Sequence, residues 1–192
     1  MNRFIIYSTI LFGILTAQEY NWPTDAGKSL RSNFGEFRDG HFHMGIDIKT
    51  NGKEGASVFA VEDGYISRMV ANFKGYGRAL YIIHPDGRTS VYAHLSRFNP
   101  KLEGFLKYYQ NNNASYILNH YFKANEIKVN KGELIGYTGN TGHSFGPHLH
   151  FELRNQNEQP LNPQSNGFTI DDRQSPRLEE LALIPLENKS KV

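Results

Sequence analysis

Histidines at metal-ligand spacing are the first residues of this chain that could carry chemistry. His148 and His150 stand two residues apart in the apolar run 147–151. If that run is a strand, both rings lie on the same face, because side chains two apart in a strand share a face. A metal ion would give two inward-facing rings a partner, since imidazole is a good zinc ligand. Taken alone, an H-x-H motif favours a structural or exposed pair.

A second candidate pair is His43 and Asp47, four residues apart. In a straight strand they would stand about 13 Å apart, too far to share one ion with bonds of about 2 Å. Gly45 between them permits a bend. The alternation at residues 46–48 favours bent extended chain over a helix. Alone, this motif is explained equally well by an unrelated surface histidine and aspartate.

The third candidate is His94, at the end of the strand-like run 89–93. In isolation it would be a core histidine bonded to a backbone carbonyl. Hydrolytic zinc chemistry needs three protein ligands, an open position for water and nearby acid/base groups. Zinc lowers the pKa of its water to about 7, and histidine, with an ordinary pKa of about 6.5, suits the proton transfer. Two histidines and one aspartate as ligands would leave two histidines for catalysis.

Short strands and one helix are predicted to position these residues. Apolar runs rich in valine, isoleucine and tyrosine alternate with glycines, a pattern typical of antiparallel strands with tight turns. The predicted strands are 58–61, 65–70, 79–84, 89–93, 127–129, 134–137 and 149–153. Pro85-Asp86-Gly87 predicts a hairpin turn. Asn99 as a cap and Pro100 as first residue predict a helix to about 111–113, which covers the sheet or walls a groove.

Composition narrows the class of protein. The chain has 192 residues, enough for one domain with a substantial core. Its net charge of +2 carries no nucleic-acid footprint, so no nucleic-acid partner is expected. The absence of cysteine excludes disulfides and thiolate metal sites. A metal would therefore be held by carboxylates and by some of the eight histidines.

The motifs follow one another in an order that resembles the lysostaphin-like zinc endopeptidases, also called LytM-type peptidases, over residues 32–163. The segments that carry the resemblance are Ser32-Asn33-Phe34-Gly35, His43-x-x-x-Asp47, Gly75-Tyr76-Gly77, Tyr92-Ala93-His94-Leu95, Lys131-Gly132-Glu133 and Gly146-Pro147-His148-Leu149-His150-Phe151. The connection 97–129 is longer than in typical members, which leaves the shape of a substrate groove open.

The resemblance implies an all-β fold, mainly antiparallel sheet with the LytM-type duplicated hybrid motif, and a short helical insertion. It implies one Zn²⁺ per chain, with His43, Asp47 and His150 as ligands. His94 and His148 would be the catalytic pair, and which of them is the general base stays open. The implied function is a zinc-dependent endopeptidase that hydrolyses peptide cross-links of bacterial peptidoglycan with a zinc-activated water.

Two other functions remain open at this point. The chain could be a non-hydrolytic LytM-type adaptor that binds cell-wall peptide or activates a cell-wall amidase. The retention of all five site positions argues against that role. It could also be an exported peptidase that cuts proteins, such as glycine-rich segments. The bond cleaved and the oligomeric state do not follow from the sequence.

Residues at both ends are predicted to lie outside the catalytic domain. A positive start and the apolar run 4–15 predict a signal peptide over 1–17, with an uncleaved anchor as the alternative. We therefore expect export to the periplasm or cell surface, or secretion, without a stable membrane span after cleavage. Residues 18–31 are predicted to be a linker, 32–165 the peptidase domain, and 166–192 a linker or the start of a further domain.

Overall fold

The strands predicted from short apolar runs form the framework of the fold. The computed structural model describes residues 20–170. The strands in this range are β1 (Leu30–Ser32), β2 (Phe37–Arg38), β3 (His41–Phe42), β4 (Ile46–Lys49), β5 (Ser57–Phe59), β6 (Gly64–Ala71), β7 (Arg78–Ile83), β8 (Thr89–Ala93), β9 (Arg97–Phe98), β10 (Leu118–Tyr121), β11 (Lys128–Val129), β12 (Leu134–Tyr137), β13 (His148–Arg154) and β14 (Pro160–Leu161). Helix α1 spans Pro100–Asn113, and a 3-10 helix spans Pro163–Asn166.

The strands described here pair antiparallel in three sheets. The large sheet has the order β1-β4-β13-β8-β7-β6-β10, with β11 also beside β6 and β14 beside β13. A smaller sheet has the order β5-β12-β9, and β2 and β3 form a hairpin. The turn at Pro85-Asp86-Gly87 joins β7 to β8 as predicted. The expectation of an all-β, mainly antiparallel fold with one short helix is confirmed.

The two faces of the large sheet differ in chemistry. Leu149, Phe151 and Leu153 of β13 are fully buried in the apolar core. The alternate residues His148, His150 and Glu152 lie on the other face, because side chains alternate along a strand. One strand therefore anchors the core and carries polar groups at the same time. Burial of each large apolar side chain stabilises the fold by about 1.5–3 kcal/mol, so the core face holds the strand in place.

Helix α1 covers the apolar core. The side chain of Asn99 accepts a hydrogen bond from the amide of Leu102 at 3.0 Å, and Pro100 is the first helical residue, as the sequence predicts. Leu102 and Leu106 are buried in the core. No residue of α1 lines the groove at the candidate site within the described range. The helix is thus an element of the core and contributes no wall to that groove.

The long connection 97–129 contains a strand that is not among the strands predicted from the sequence. Strand β10 extends the large sheet by pairing with β6. Leu118 and Phe122 enter the core, and His120 packs between the rings of Phe105 and Phe122 with centroid distances of 5.0 and 4.6 Å. His120 is therefore half-buried. This connection is an integral part of the folded domain.

Residues on both sides of the predicted domain pack into the same core. Tyr20, in the segment expected to be a linker, is 7% exposed and stacks on Phe168 at 5.2 Å. Phe168, beyond the expected boundary at 165, is 1% exposed, and its ring packs against that of Phe151 with 4.8 Å between the ring centroids. Both residues lie in polar stretches of sequence that show no hydrophobic periodicity, so no local pattern predicts that they are buried. The predicted signal peptide 1–17 and residues 171–192 of the predicted C-terminal segment lie outside the described residues.

Within the described range, no helix is long and apolar enough to cross a membrane.

Replacing Phe168 tests whether the segment after 165 belongs to the domain. We expect Phe168→Ala to lower the free energy of unfolding by about 3–5 kcal/mol, because it removes a fully buried ring and leaves a cavity. Phe73→Ala is the matched control, since Phe73 is 73% exposed. Urea denaturation monitored by circular dichroism provides the measurement. Equal midpoints for the two variants would contradict the packing role of Phe168.

Candidate metal centre

A bend in the chain brings His43 and Asp47 together. Strand β3 ends at Phe42 and β4 begins at Ile46, with the bend at Gly45 between them. His43 Nε2 lies 3.1 Å from Asp47 Oδ1. A Cβ atom on Gly45 would stand 2.2 Å from the carbonyl oxygen of Phe151. Glycine is therefore required at this position because the bend presses directly against the backbone of β13.

Strand pairing adds His150 to this pair. In the register of β4 with β13, His150 lies opposite Asp47. His150 Nδ1 stands 2.9 Å from Asp47 Oδ1 and 3.0 Å from His43 Nε2. All three residues are buried, and their ligand atoms converge on one point. The three residues predicted as metal ligands are thus brought together by the fold.

The geometry of this cluster fits a four-coordinate zinc ion. With bonds of about 2.0–2.1 Å, neighbouring ligands of a tetrahedral zinc stand roughly 3.3 Å apart. The observed separations of 2.9–3.1 Å lie near that value. Two imidazoles and one carboxylate form a donor set that suits zinc and leaves a position for water.

The electrostatics of the cluster also favour a cation. Burial raises the pKa of Asp47, but hydrogen bonds from His150 and His43 outweigh it and hold that pKa well below its usual range. Burial lowers the pKa of His150, but Asp47 and Glu152 on its two sides raise it to about 9. The two buried carboxylates thus stabilise a positive charge at His150. A metal ion can supply that charge in place of the proton on the ring.

Each ligand ring is oriented by a second hydrogen bond. His43 Nδ1 lies 2.7 Å from the carbonyl oxygen of Asn33, which leaves Nε2 for a metal. His150 Nε2 lies 2.8 Å from Glu152 Oε1, which leaves Nδ1 for a metal. Such outer contacts fix the tautomer of a ligand histidine and raise its basicity. The Asp47 carboxylate is held in the same way, because Arg38 donates to its Oδ2 at 2.6 Å and Oδ1 faces the two rings.

Glu152 is the main site residue that the sequence reading missed. It is fully buried, and its carboxylate accepts hydrogen bonds from Tyr76 and Arg154 in addition to the contact with His150. Burial raises its pKa, but the bond to His150 outweighs that effect and lowers it. The signal was present, because residues 148, 150 and 152 continue one strand face and a carboxylate on a buried face needs a partner.

His94 and His148 stand beside the ligand cluster. His94 directly follows β8 and has a left-handed backbone conformation with φ of 59°, so the extended strand ends there. Its Nδ1 lies 2.8 Å from the carbonyl oxygen of Thr141. His148 Nδ1 makes the same type of contact with Gly146 at 2.8 Å. The two ring centroids are 4.8 Å apart, so the fold also brings together the two residues predicted to be catalytic.

These contacts define the chemistry open to the pair. A ring that donates from Nδ1 to a carbonyl carries its lone pair on Nε2. Burial lowers the pKa of His94 to about 4 and also lowers the pKa of His148, so burial favours the neutral form of both rings. Each ring can therefore accept a proton at Nε2, which is the property of a general base.

The cluster opens into a groove of about 960 Å³. Arg31, Tyr76 and the exposed side chains of Met44, Phe73 and Phe145 are among its lining residues. His41 and His143 also line it, and both are exposed outside the ligand cluster. His84 is buried elsewhere, hydrogen-bonded to the Asp63 carbonyl and the Ser90 hydroxyl, which indicates a structural role.

Comparison with known proteins points to a peptidase family. The family model described as "Peptidase family M23" matches residues 41–110 and 101–163. The DD-carboxypeptidase/endopeptidase Mpg of Neisseria meningitidis is 38% identical over 123 residues, 64% of this chain and 22% of that protein. Lysostaphin of Staphylococcus simulans is 30% identical over 115 residues, 59% of this chain and 18% of that protein. The matched part thus spans about a fifth of these relatives.

A solved structure shares the fold. The crystal structure of a zinc-containing peptidase from Vibrio cholerae superposes with a TM-score of 0.56 and 26% identity, covering 76% of this chain and 39% of that chain. The resemblance to lysostaphin-like peptidases that the motifs indicated is confirmed by these matches.

Zinc binding is expected to depend on three side chains. His43→Ala, Asp47→Ala or His150→Ala should each abolish stoichiometric zinc, because two remaining ligands do not complete a stable site. His41→Ala is the control, since its ring is exposed and contacts only the carbonyl of Asp39 among the described residues. Metal analysis of the purified variants provides the measurement. Normal zinc content in any of the three would remove that residue from the ligand set.

Glu152→Gln is expected to weaken zinc binding without abolishing it. Gln keeps the shape but loses the charge that supports the His150 ring, so affinity should fall by roughly 10–100-fold. Glu158→Gln is the matched control, because Glu158 also bonds Arg154 but is exposed and makes no contact with His150. Competition with a zinc chelator would measure both affinities. Equal affinities would mean that Glu152 serves the fold alone.

Proposed function

Because this chain belongs to peptidase family M23, we propose that it is a zinc-dependent endopeptidase that hydrolyses peptide cross-links of bacterial peptidoglycan. The observation that carries the proposal is the convergence of His43, Asp47 and His150 beside the pair His94 and His148. Three ligands, an accessible groove and two proton acceptors are the parts that metal-assisted peptide hydrolysis requires.

The substrate proposal draws on chemistry outside this chain. The relative Mpg is named a DD-carboxypeptidase/endopeptidase, which describes cleavage between D-amino acids. Bacterial peptidoglycan is the polymer whose short peptides contain such bonds. The predicted export of this chain agrees with a substrate that lies outside the cytoplasm. The groove suits an extended peptide, because it is open and has exposed apolar residues along its wall.

The residues of this chain divide the work as follows. His43, Asp47 and His150 would hold one zinc ion, which when bound supplies a Lewis acid and lowers the pKa of water to about 7. The Nε2 atom of His94 or His148 accepts a proton from the attacking water. The ring that gains this proton then gives it to the leaving nitrogen as the peptide bond breaks, and the other ring, when it carries a proton on Nε2, stabilises the oxyanion of the tetrahedral intermediate. The carbonyls of Thr141 and Gly146 hold both rings in the tautomer that this step needs.

Cleavage of defined material tests this function. Zinc-loaded protein would be incubated with purified peptidoglycan, with a cross-linked stem peptide and with a glycine-rich peptide, and the products identified by mass spectrometry. Release of peptides from the first two substrates supports the proposal. Cleavage of the glycine-rich peptide alone would indicate a protein-directed peptidase. Bound zinc with no cleavage of any substrate would favour the adaptor role.

His94 and His148 are expected to be needed for turnover but not for the metal. His94→Ala or His148→Ala should keep about one zinc per chain and lower the rate by about 10²–10⁴, the range for loss of a proton-transfer or oxyanion partner. Gln separates the roles, because it donates a hydrogen bond but does not titrate. The general base should lose most activity as Gln, and the oxyanion donor should keep more.

Turnover of a cross-linked peptide and zinc content would be measured on the same samples. Tyr116→Ala serves as the control and should turn over near the wild-type rate, because Tyr116 is 79% exposed and lies outside the groove. Wild-type rates in both alanine variants would show that the catalytic base lies elsewhere.

A further inference from the structure

A second, smaller depression lies beside the metal groove. It has a volume of about 330 Å³ and is lined by residues of β1, of the turn after β4, and of the loop before β13. Arg31 borders both this depression and the metal groove, so the two are neighbours. The side chains that could bind a ligand there are those of Arg31, Lys49 and Thr50.

Strand register places this depression close to the proposed metal ligands. Lys49 lies opposite His148 in the pairing of β4 with β13. It follows Asp47 by two residues in β4, so the two side chains share a face about 6.6 Å apart along the strand. An extended peptide advances about 3.3 Å per residue. The depression is thus within reach of the residue next to a bond held at the metal.

The depression carries positive charge without a protein counter-charge. Arg31 donates to the carbonyl oxygens of Phe145 at 3.0 Å and Gly146 at 3.3 Å, which fix its guanidinium at the border between the groove and the depression. Within residues 20–170, neither Arg31 nor Lys49 forms an ion pair with a carboxylate. The carboxylate of Asp47 is occupied by Arg38 and by the histidines. Two neighbouring cations with spare donors favour an anionic ligand.

Thr50 adds an independent observation. It is 6% exposed, and its hydroxyl is the one buried side-chain oxygen or nitrogen in the described part of the chain that has no hydrogen-bond partner. Buried polar groups are nearly always satisfied, because an unpaired one costs stability. Thr50 lines the depression, so a ligand oxygen that reaches this hydroxyl would provide the missing partner.

We propose that Arg31, Lys49 and Thr50 form a subsite for a carboxylate carried by the residue that follows the scissile bond. This subsite rests on the proposed function, and it names the peptides that the site selects. A terminal D-amino acid carries its carboxylate on the carbon next to the leaving nitrogen. A cross-link to a diamino acid that retains its free carboxylate on that carbon presents the same group. The acyl side of a D-alanyl bond has no such charge.

Paired substrates test the subsite. One pair is a stem peptide ending in D-alanyl-D-alanine as the carboxylate and as the carboxamide. The other is a cross-linked dimer with the diamino-acid carboxylate free or amidated. We expect the wild type to favour the carboxylate of at least one pair by about 10-fold in kcat/KM, and the favoured pair identifies the source. Added salt should reduce this preference, because both cations are exposed.

Two variants should remove the preference. Lys49→Gln removes a charge, and Thr50→Val removes the hydroxyl at nearly constant shape. Each should bring the ratio of carboxylate to carboxamide cleavage to within about 3-fold of one. Lys53→Gln is the matched control, since it removes the same charge from an exposed turn residue outside the depression and should keep the wild-type ratio. Thermal melts establish that the variants are folded, and one folded variant is enough to test the subsite.

Direct binding separates this proposal from the proposed function. Titration of zinc-loaded protein with the carboxylate and carboxamide peptides, followed by calorimetry, requires no turnover. A binding preference that disappears in Lys49→Gln or Thr50→Val supports the subsite even if no peptide is cleaved. Cleavage at equal rates for both members of both pairs overturns the subsite and leaves the hydrolase standing. A preference that survives in both variants also overturns it.

Discussion

The antiparallel pairing of β4 with β13 is the constraint on which the site depends. Its register sets Asp47 opposite His150 and Lys49 opposite His148. A shift by one residue would turn every side chain of one strand to the other face, which would bury polar groups in the core and expose apolar ones. The buried residues Ile46, Ile48, Leu149 and Phe151 therefore hold the metal site in register from the opposite side of the sheet.

The polar face of this sheet is stable because each of its charged groups contacts the next one in a continuous row. Contacts run from Arg38 to Asp47, from Asp47 to His150, from His150 to Glu152, and from Glu152 to Arg154. Each buried carboxylate thus has a cationic or hydrogen-bonding partner on two sides, which offsets the cost of removing it from water. Such a chain of contacts leaves little freedom to the His150 ring, and a candidate metal ligand benefits from this rigidity.

The two sides of the molecule have separate tasks. Helix α1 and strand β10 enlarge the core and extend the large sheet, away from the ligands. The loops that contain Phe73, His143 and Phe145 shape the groove instead. Tyr76 connects the two roles, because its loop lies on the groove while its hydroxyl bonds the buried carboxylate of Glu152. Loop changes can therefore alter the groove without disturbing the core that positions the ligands.

The sequence alone determined the features of this protein that show a local hydrophobic period or a short motif. Alternating apolar runs indicated most central strands, and Asn99 and Pro100 indicated the helix. The order of histidine motifs indicated which five residues the fold brings together at the candidate site. Only the tertiary structure decided what depends on contacts distant in sequence. Glu152 orients a ligand because a strand packs beside Tyr76, Tyr20 and Phe168 meet across 148 residues, and β10 exists because β6 offers it an edge. Local patterns cannot encode these pairings, since each residue acquires its partner only when the chain has folded.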